Sequence, residues 1–313
     1  MREAVQRCSL DLGGTAVLTE AATGAYAVTA PIAALAGAQV TALARDSRYG
    51  SARDAEYAVM ELASAAGVAE RVRIVQAVPQ DLSGYGIVTN SGHLRPIDAA
   101  MITRLPGNAV IALMFEAWEL REGDIDIDAC RARGIRIAAV NERHAAVDVF
   151  SYLGPLSLHA LQDAGVACYG GRVALLCDNA FGPYILRSLS NNGVEAAVFT
   201  EVTAMPQSAW DAVLVALHPH AKPRIDAAAA ARLASVAADA AIVQIWGDID
   251  RTALAAHGFE AWPPQAPRTG HMAVLMSDIG PEAVVRLQAG GLAAASRVWR
   301  GDPVTPDGIA ELV

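Results

Sequence analysis

Gly171-Arg172-Val173-Ala174-Leu175-Leu176-Cys177-Asp178-Asn179-Ala180-Phe181-Gly182-Pro183-Tyr184-Ile185-Leu186-Arg187-Ser188-Leu189 is the stretch that decides the fold. It reads as an apolar strand, a tight turn and the start of a helix, the frame of a phosphate-binding loop in a doubly wound sheet. On the G-x-G-x-x-G spacing, Cys177 stands at the first glycine position, Asn179 at the second and Gly182 at the third. The first glycine makes the turn, and cysteine replaces it poorly. The second lets the backbone approach a pyrophosphate; Asn179 tolerates left-handed angles but carries a side chain into that space. Asp178 adds a negative charge that opposes a phosphate unless it is turned away or paired. The fold signal is therefore stronger than the cofactor signal.

Composition bounds the rest. With 313 residues, 53% of them hydrophobic, the chain buries ample core and is expected to form about two domains. A net charge of −9 and the lack of any basic stretch argue against nucleic acid as a partner. Apolar runs such as residues 109–115 are too short to span a bilayer, and Met1-Arg2-Glu3-Ala4 shows no apolar signal core. The expectation is a cytoplasmic protein with no membrane partner. Cys8, Cys130, Cys168 and Cys177 are scattered without a C-x-x-C pair or a nearby histidine at metal spacing, so neither disulfides nor a bound metal is expected. Lys222 is the only lysine and thus the single Schiff-base candidate; without a G-K-[ST] there is no P-loop.

Short β-like runs alternate with Ala-rich helical stretches throughout, the pattern of parallel sheets covered on both faces. Strands are expected at residues 14–18, 40–44, 72–75, 87–88, 109–113, 135–140, 173–177, 196–200, 212–217 and 241–245, with a connecting helix at 148–164. The fold class is α/β: two Rossmann-like or flavodoxin-like domains with parallel sheets and a cleft between them. One covers 1–147 and is completed by the C-terminal helix 281–313; the Rossmann-like nucleotide-binding domain covers 148–280. A second nucleotide-like signal lies in the first half, where Ala22-Thr23-Gly24-Ala25-Tyr26 follows a strand and Arg45-Asp46-Ser47-Arg48 follows the next. Its arginines suit a 2′-phosphate or form a solvated loop.

From Ile87 to the C-terminal helix, two thirds of its length, the chain resembles the D-isomer-specific 2-hydroxyacid dehydrogenases. The likeness lies in the order of its pieces: Asp98-Ala99-Ala100-Met101-Ile102 with Ala109-Val110-Ile111, then Asp124-Ile125-Asp126-Ile127-Asp128-Ala129-Cys130-Arg131-Ala132-Arg133-Gly134-Ile135, and next the loop at 177–182. Trp210-Asp211-Ala212-Val213-Leu214-Val215-Ala216-Leu217-His218-Pro219 follows, and Thr269-Gly270-His271-Met272-Ala273 comes before Gly280-Pro281-Glu282-Ala283. The resemblance implies NAD or NADP as cofactor, a homodimer, an arginine for a substrate carboxylate, and a histidine paired with a glutamate for proton exchange. His271 takes the histidine position and Glu260 the glutamate position, while Trp246 stands about where the arginine belongs. Cys177, Asn179, Gly182, Thr200, Glu201, His218 and Trp246 fall at the cofactor positions. Thr200 replaces the acidic residue for the adenosine ribose, with Glu201 one residue later.

Three polar clusters follow strands of the first half and therefore belong at the carboxyl edge of a sheet, where α/β proteins bind ligands. Asn90-Ser91-Gly92-His93-Leu94-Arg95-Pro96 offers His93 as a proton donor and Arg95 as an anchor. Glu116-Ala117-Trp118-Glu119-Leu120-Arg121 pairs two carboxylates with an aromatic ring, and Asn141-Glu142-Arg143-His144 follows the next strand. Each can instead be a capped surface loop. Two functions stand open. One is a divergent NAD(P)-dependent oxidoreductase acting on a small polar or carboxylate-bearing metabolite, with His271 as acid/base. The other is a non-redox enzyme (lyase, isomerase or hydrolase) or small-molecule-binding protein on a dehydrogenase-like scaffold that has lost its dinucleotide site.

Overall fold

The computed structural model describes residues 1–313 and divides them into two compact units. Unit 1 is Met1–Val149 with Pro281–Val313, and unit 2 is Phe150–Gly280.

The first part of unit 1 runs α1 (Arg2–Arg7), β1 (Ala16–Glu20), α2 (Thr29–Leu35), β2 (Gln39–Leu43), α3 (Ala52–Ala66), β3 (Val72–Val75), β4 (Ile87–Thr89), α4 (Ala99–Ile102), β5 (Val110–Ala112), α5 (Ile127–Arg133) and β6 (Arg136–Val140). Local chemistry marks the boundaries. Ser51 and Asp54 form a reciprocal capping box at the start of α3, and Gly67 ends it in the left-handed conformation. Asp126 caps α5 through the Ala129 N–H.

Unit 2 runs α6 (Leu153–Asp163), β7 (Arg172–Leu176), α7 (Gly182–Asn191), β8 (Glu195–Phe199), β9 (Ala212–Ala216), α8 (Ala227–Val236), β10 (Ala241–Trp246), α9 (Arg251–Ala255) and β11 (Ala261–Trp262). The polypeptide then returns to unit 1 with α10 (Glu282–Arg300) and β12 (Ala310–Leu312).

The unit 1 sheet is ordered β12-β6-β5-β4-β1-β2-β3, parallel except for β12, which pairs antiparallel with β6. Its six parallel strands follow the 3-2-1-4-5-6 order, with the reversal of strand order between β1 and β4. The unit 2 sheet is all parallel, β11-β10-β9-β7-β8, with its reversal between β7 and β9. Both sheets carry nearly continuous apolar strands, as burial on two faces requires.

Two expectations need correction. The helix expected from 148 begins only at Leu153, after Asp148 at φ 52° and a 3-10 turn at Phe150–Tyr152. The region 281–313 is not all helix: Gly301 ends α10 in the left-handed conformation and the backbone turns back as β12. No helix is long and apolar enough to cross a membrane.

Close packing fixes two helices on their neighbours. A Cβ built on Gly291 of α10 would lie 2.9 Å from Met114 Sδ and 3.1 Å from Met114 Cα, just past β5; one on Gly154 of α6 would lie 2.2 Å from Ser188 Cβ of α7. Gly291→Ala and Gly154→Ala are each expected to destabilise the protein by about 1–3 kcal/mol through overpacking. Urea unfolding checks this, and a midpoint unchanged in either variant contradicts the packing.

Candidate functional site

In unit 1 the side chains that follow β1, β4, β5 and β6 gather at the carboxyl edge of the sheet. Thr89 donates to Thr19 across β4 and β1 (2.8 Å), and Glu20 and Asn90 are the residues that follow these two in the sequence. Glu20 accepts the His93 N–H at 2.7 Å. A Cβ on Gly92, at φ 37°, would fall inside the Glu20 carboxylate, so glycine is required there. Burial raises the Glu20 pKa, against the His93 N–H and the charges of His93 and Arg95. Asn90 is buried, and neither atom of its side-chain amide has a partner within the chain. Arg95 reaches Asp124 at 3.4 Å.

Beyond β5 and β6 lies a group of three glutamates. Glu116 is 2% exposed and accepts from the Trp118 indole N–H, from the Glu142 backbone N–H (3.2 Å) and from Arg143 Nε (3.3 Å). Glu119 Oε1 accepts the Glu116 N–H at 3.3 Å. The carboxyls of Glu119 and Glu142 lie close enough to act on each other. Burial, reinforced by the facing Glu119 and Glu116, pushes the Glu142 pKa well above the usual carboxylate range. Burial, with Glu116 nearby, pushes Glu119 up to about 7. The half-exposed Tyr26 feels this group: burial and the charges of Glu142 and Glu119 raise its hydroxyl pKa. Trp118 and Arg143 are likewise partly exposed at the rim. Such a group can accept or release a proton near neutral pH.

Three of the residues singled out in the sequence, His93, Arg95 and Glu116, follow the neighbouring strands β4 and β5 at one edge of the sheet. The block around Glu119 and Glu142 was visible in sequence, but not the pairing of these two carboxyls across separate loops. Glu20 and Tyr26 were missed as site residues; the signal that could have found Glu20 is its place as the last residue of β1 at the strand-order reversal.

Unit 2 treats its candidate residues differently. In the loop between β7 and α7, Asn179 is not left-handed. Its Oδ1 accepts the Phe181 N–H (3.0 Å) and its Nδ2 donates to Ala216 O (2.8 Å). Gly182 N–H is directed at Asn179 O (3.4 Å), and Pro183 has no N–H. Asp178 accepts the His218 N–H (2.8 Å) and pairs with Arg224 (2.7 Å). Burial pushes the Asp178 carboxyl up, but these two donors outweigh it and hold its pKa below the ordinary value. Burial pushes the Cys177 thiol up, so it is no thiolate nucleophile.

Trp246 is 6% exposed, stacks on Phe181 (5.2 Å), meets the His218 ring edgewise (5.0 Å) and donates to Gly270 O (3.2 Å). It is a core residue, with a face already taken. Thr200 and Glu201 are exposed past β8, an edge strand with no third strand beside it. His271 Nδ1 lies 3.0 Å from Thr269 O, near the carboxyl end of β10, where Ala273 N–H reaches Ile245 O. Glu260 is exposed and precedes Ala261, the partner of Ile242 at the opposite end of β10. The expected His271–Glu260 pair is therefore not formed, since about four strand residues, ~13 Å, separate their levels. The residues at the loop do not fit a dinucleotide pyrophosphate: the N–H donors of Phe181 and Gly182 are directed at Asn179, and a side chain stands where the second glycine would.

Neither a family model nor a curated protein matches the sequence. Solved structures do match in three dimensions. A dipicolinate synthase polypeptide from Bacillus halodurans aligns over 89% of this chain and 96% of its own length at 11% identity and a TM-score of 0.58. Its namesake from Bacillus subtilis aligns over 91% and 96% at 11% identity and 0.59. The NAD-dependent formate dehydrogenase from Staphylococcus aureus, solved with NAD, aligns over 93% and 97% at 13% identity and 0.52. These likenesses carry the fold alone: the protein is built on the two-domain fold of the D-2-hydroxyacid dehydrogenase type.

Proposed function

We propose that the protein is an enzyme that moves a proton on a small polar metabolite at the carboxyl edge of the unit 1 sheet. The observation that carries this reading is the grouping of three carboxyls in two loops, with the Glu142 N–H bonded to Glu116 Oε1 and the Glu116 N–H to Glu119 Oε1. Glu119, the more accessible member and the one with a pKa of about 7, is the acid/base. Glu142, fully buried beside Glu119 and Glu116, is pushed well above the usual carboxylate range and holds its proton more strongly. Trp118 and Tyr26 supply ring surface at the rim, and Arg143 a positive charge. The chemistry is of the isomerase or lyase type, in which a carbon- or oxygen-bound proton is abstracted without a redox partner.

The other reading is an NAD(P)-dependent oxidoreductase with His271 as acid/base. It draws support from the shared fold, from the formate dehydrogenase solved with NAD, and from Gly182 at the start of α7. The loop around Asn179 and the separation of His271 from Glu260 weigh against it.

A small-metabolite library screened by thermal shift identifies ligands, and NMR in D2O follows exchange of their carbon-bound protons. Native protein is expected to catalyse exchange in at least one stabilising ligand with an inflection near pH 7, and Glu119→Gln to slow it by about 10²–10⁴-fold. Exchange that proceeds unchanged in Glu119→Gln excludes this carboxyl as the base.

The raised pKa values also set the pH dependence of stability. The native state binds the Glu119 proton more tightly than the unfolded state does, so this contribution is complete below pH 4.5 and is lost as pH rises through about 7. Glu119→Gln mimics the protonated form. At pH 8 it is expected to be more stable than the native protein by about 1–2 kcal/mol, with no gain at pH 4, as measured by urea unfolding at both values.

A further inference from the structure

We propose that Asn179 is a built-in ligand for the N-terminus of α7. Its side-chain amide holds the place that a pyrophosphate takes in this fold, so unit 2 keeps the loop while closing it to dinucleotides. Anion binding at a helix start needs free N–H groups pointing outward and a backbone that a phosphate can approach. Here the Phe181 N–H is bound by Asn179 Oδ1 and the Gly182 N–H turns to Asn179 O, while residue 183, a proline, offers none. The same amide donates to Ala216 O at the end of β9, across the point where the strand order reverses.

A second tie fixes the loop from the other side. The Asp178 carboxylate bridges the His218 N–H and Arg224, whose Nη1 also donates to His218 O at 2.6 Å. An anion entering here meets a fixed negative charge whose natural cation is already engaged. The adenosine side is also altered. β8 is a bare edge with Val198 40% exposed, and the 3-2-1-4-5-6 order usual for dinucleotide-binding sheets belongs to unit 1 instead.

Because Asn179 is not in the left-handed region, its replacement by a smaller residue does not depend on a special backbone angle. The test is calorimetric titration of NADH and of NADPH into the full-length protein, as native sequence, Asn179→Gly and Asn179→Ala, with circular dichroism and thermal melting to establish that each variant is folded. The loss of the bond to Ala216 lowers the melting temperature, and the alanine variant keeps a Cβ in case the glycine variant does not fold. The native protein is expected to show no binding up to about 1 mM, and a folded variant to bind at least one of the two nucleotides at least tenfold more tightly than that limit.

Native binding in the micromolar range overturns the proposal. So does a folded variant that remains as blind to both nucleotides as the native protein, since Asn179 would then not be what closes the loop. The outcome is independent of the proton-transfer reading, which is tested by exchange at Glu119.

Discussion

The carboxyl edge of unit 1 depends on how the side chain of Glu116 is satisfied. At 2% exposure, a carboxylate without donors would cost several kcal/mol, and three donors reach it: an indole two residues on, a backbone N–H after β6 and a guanidinium. Those bonds tie the loop after β5 to the loop after β6. They also bring Glu142 beside Glu119. Two further carboxyls in so dry a place cannot both ionise cheaply, so both pKa values are raised. The perturbed acid is thus a consequence of how one buried anion is held.

Unit 2 answers the opposite demand. Its loop after β7 lacks two of three glycines, and the space and hydrogen-bond donors are used internally. Phe181 and Trp246 stack in a core with Phe150 and Tyr184, the rings of Phe150 meeting those of Phe181 and Tyr184 edge to face. An arginine at position 246 could not have been buried in that core without a paired anion. Trp246 fits it, with its one polar atom given to Gly270 O. At 246 and at 179 alike the polar side-chain atoms are bound within the protein, to Gly270 O in the one case and to the Phe181 N–H and Ala216 O in the other.

Much of this was legible in the sequence. The alternation of apolar runs and Ala-rich stretches gave ten strand positions, and the degenerate loop was already visible at Cys177, Asp178 and Asn179. Strand order was not legible, because it is set by which strand docks beside β1, a long-range choice that no local pattern encodes. The short β11 and β12 escaped for a related reason: strands of two or three residues pair only because a neighbour is already in place. The strand-end rule singled out His93, Arg95 and Glu116, which follow β4 and β5. The Glu119–Glu142 pairing was not legible, since proximity between residues 23 positions apart in separate loops is a product of the fold. Trp246 and Glu260 were misplaced by reasoning from segment order, which fixes a residue's place along the sequence but not which end of a strand it occupies or whether its ring is packed.

Strand order explains why chemistry and scaffold have parted. In open α/β sheets the crevice at the reversal point is where helix starts and strand ends leave room for a ligand. Unit 2 has its reversal between β7 and β9, and there Asn179, Asp178, His218 and Arg224 bond to one another. Unit 1 has its reversal between β1 and β4, where β1 ends at Glu20 and the residue after β4 is Asn90, whose buried amide has no partner. A buried amide with no internal partner costs stability, roughly 1–3 kcal/mol per unmet group, and persists where something outside the protein can meet it. The same two-sheet scaffold therefore holds one strand-order reversal that is chemically saturated and one that is not, and the unsaturated one adjoins the carboxyls with raised pKa values.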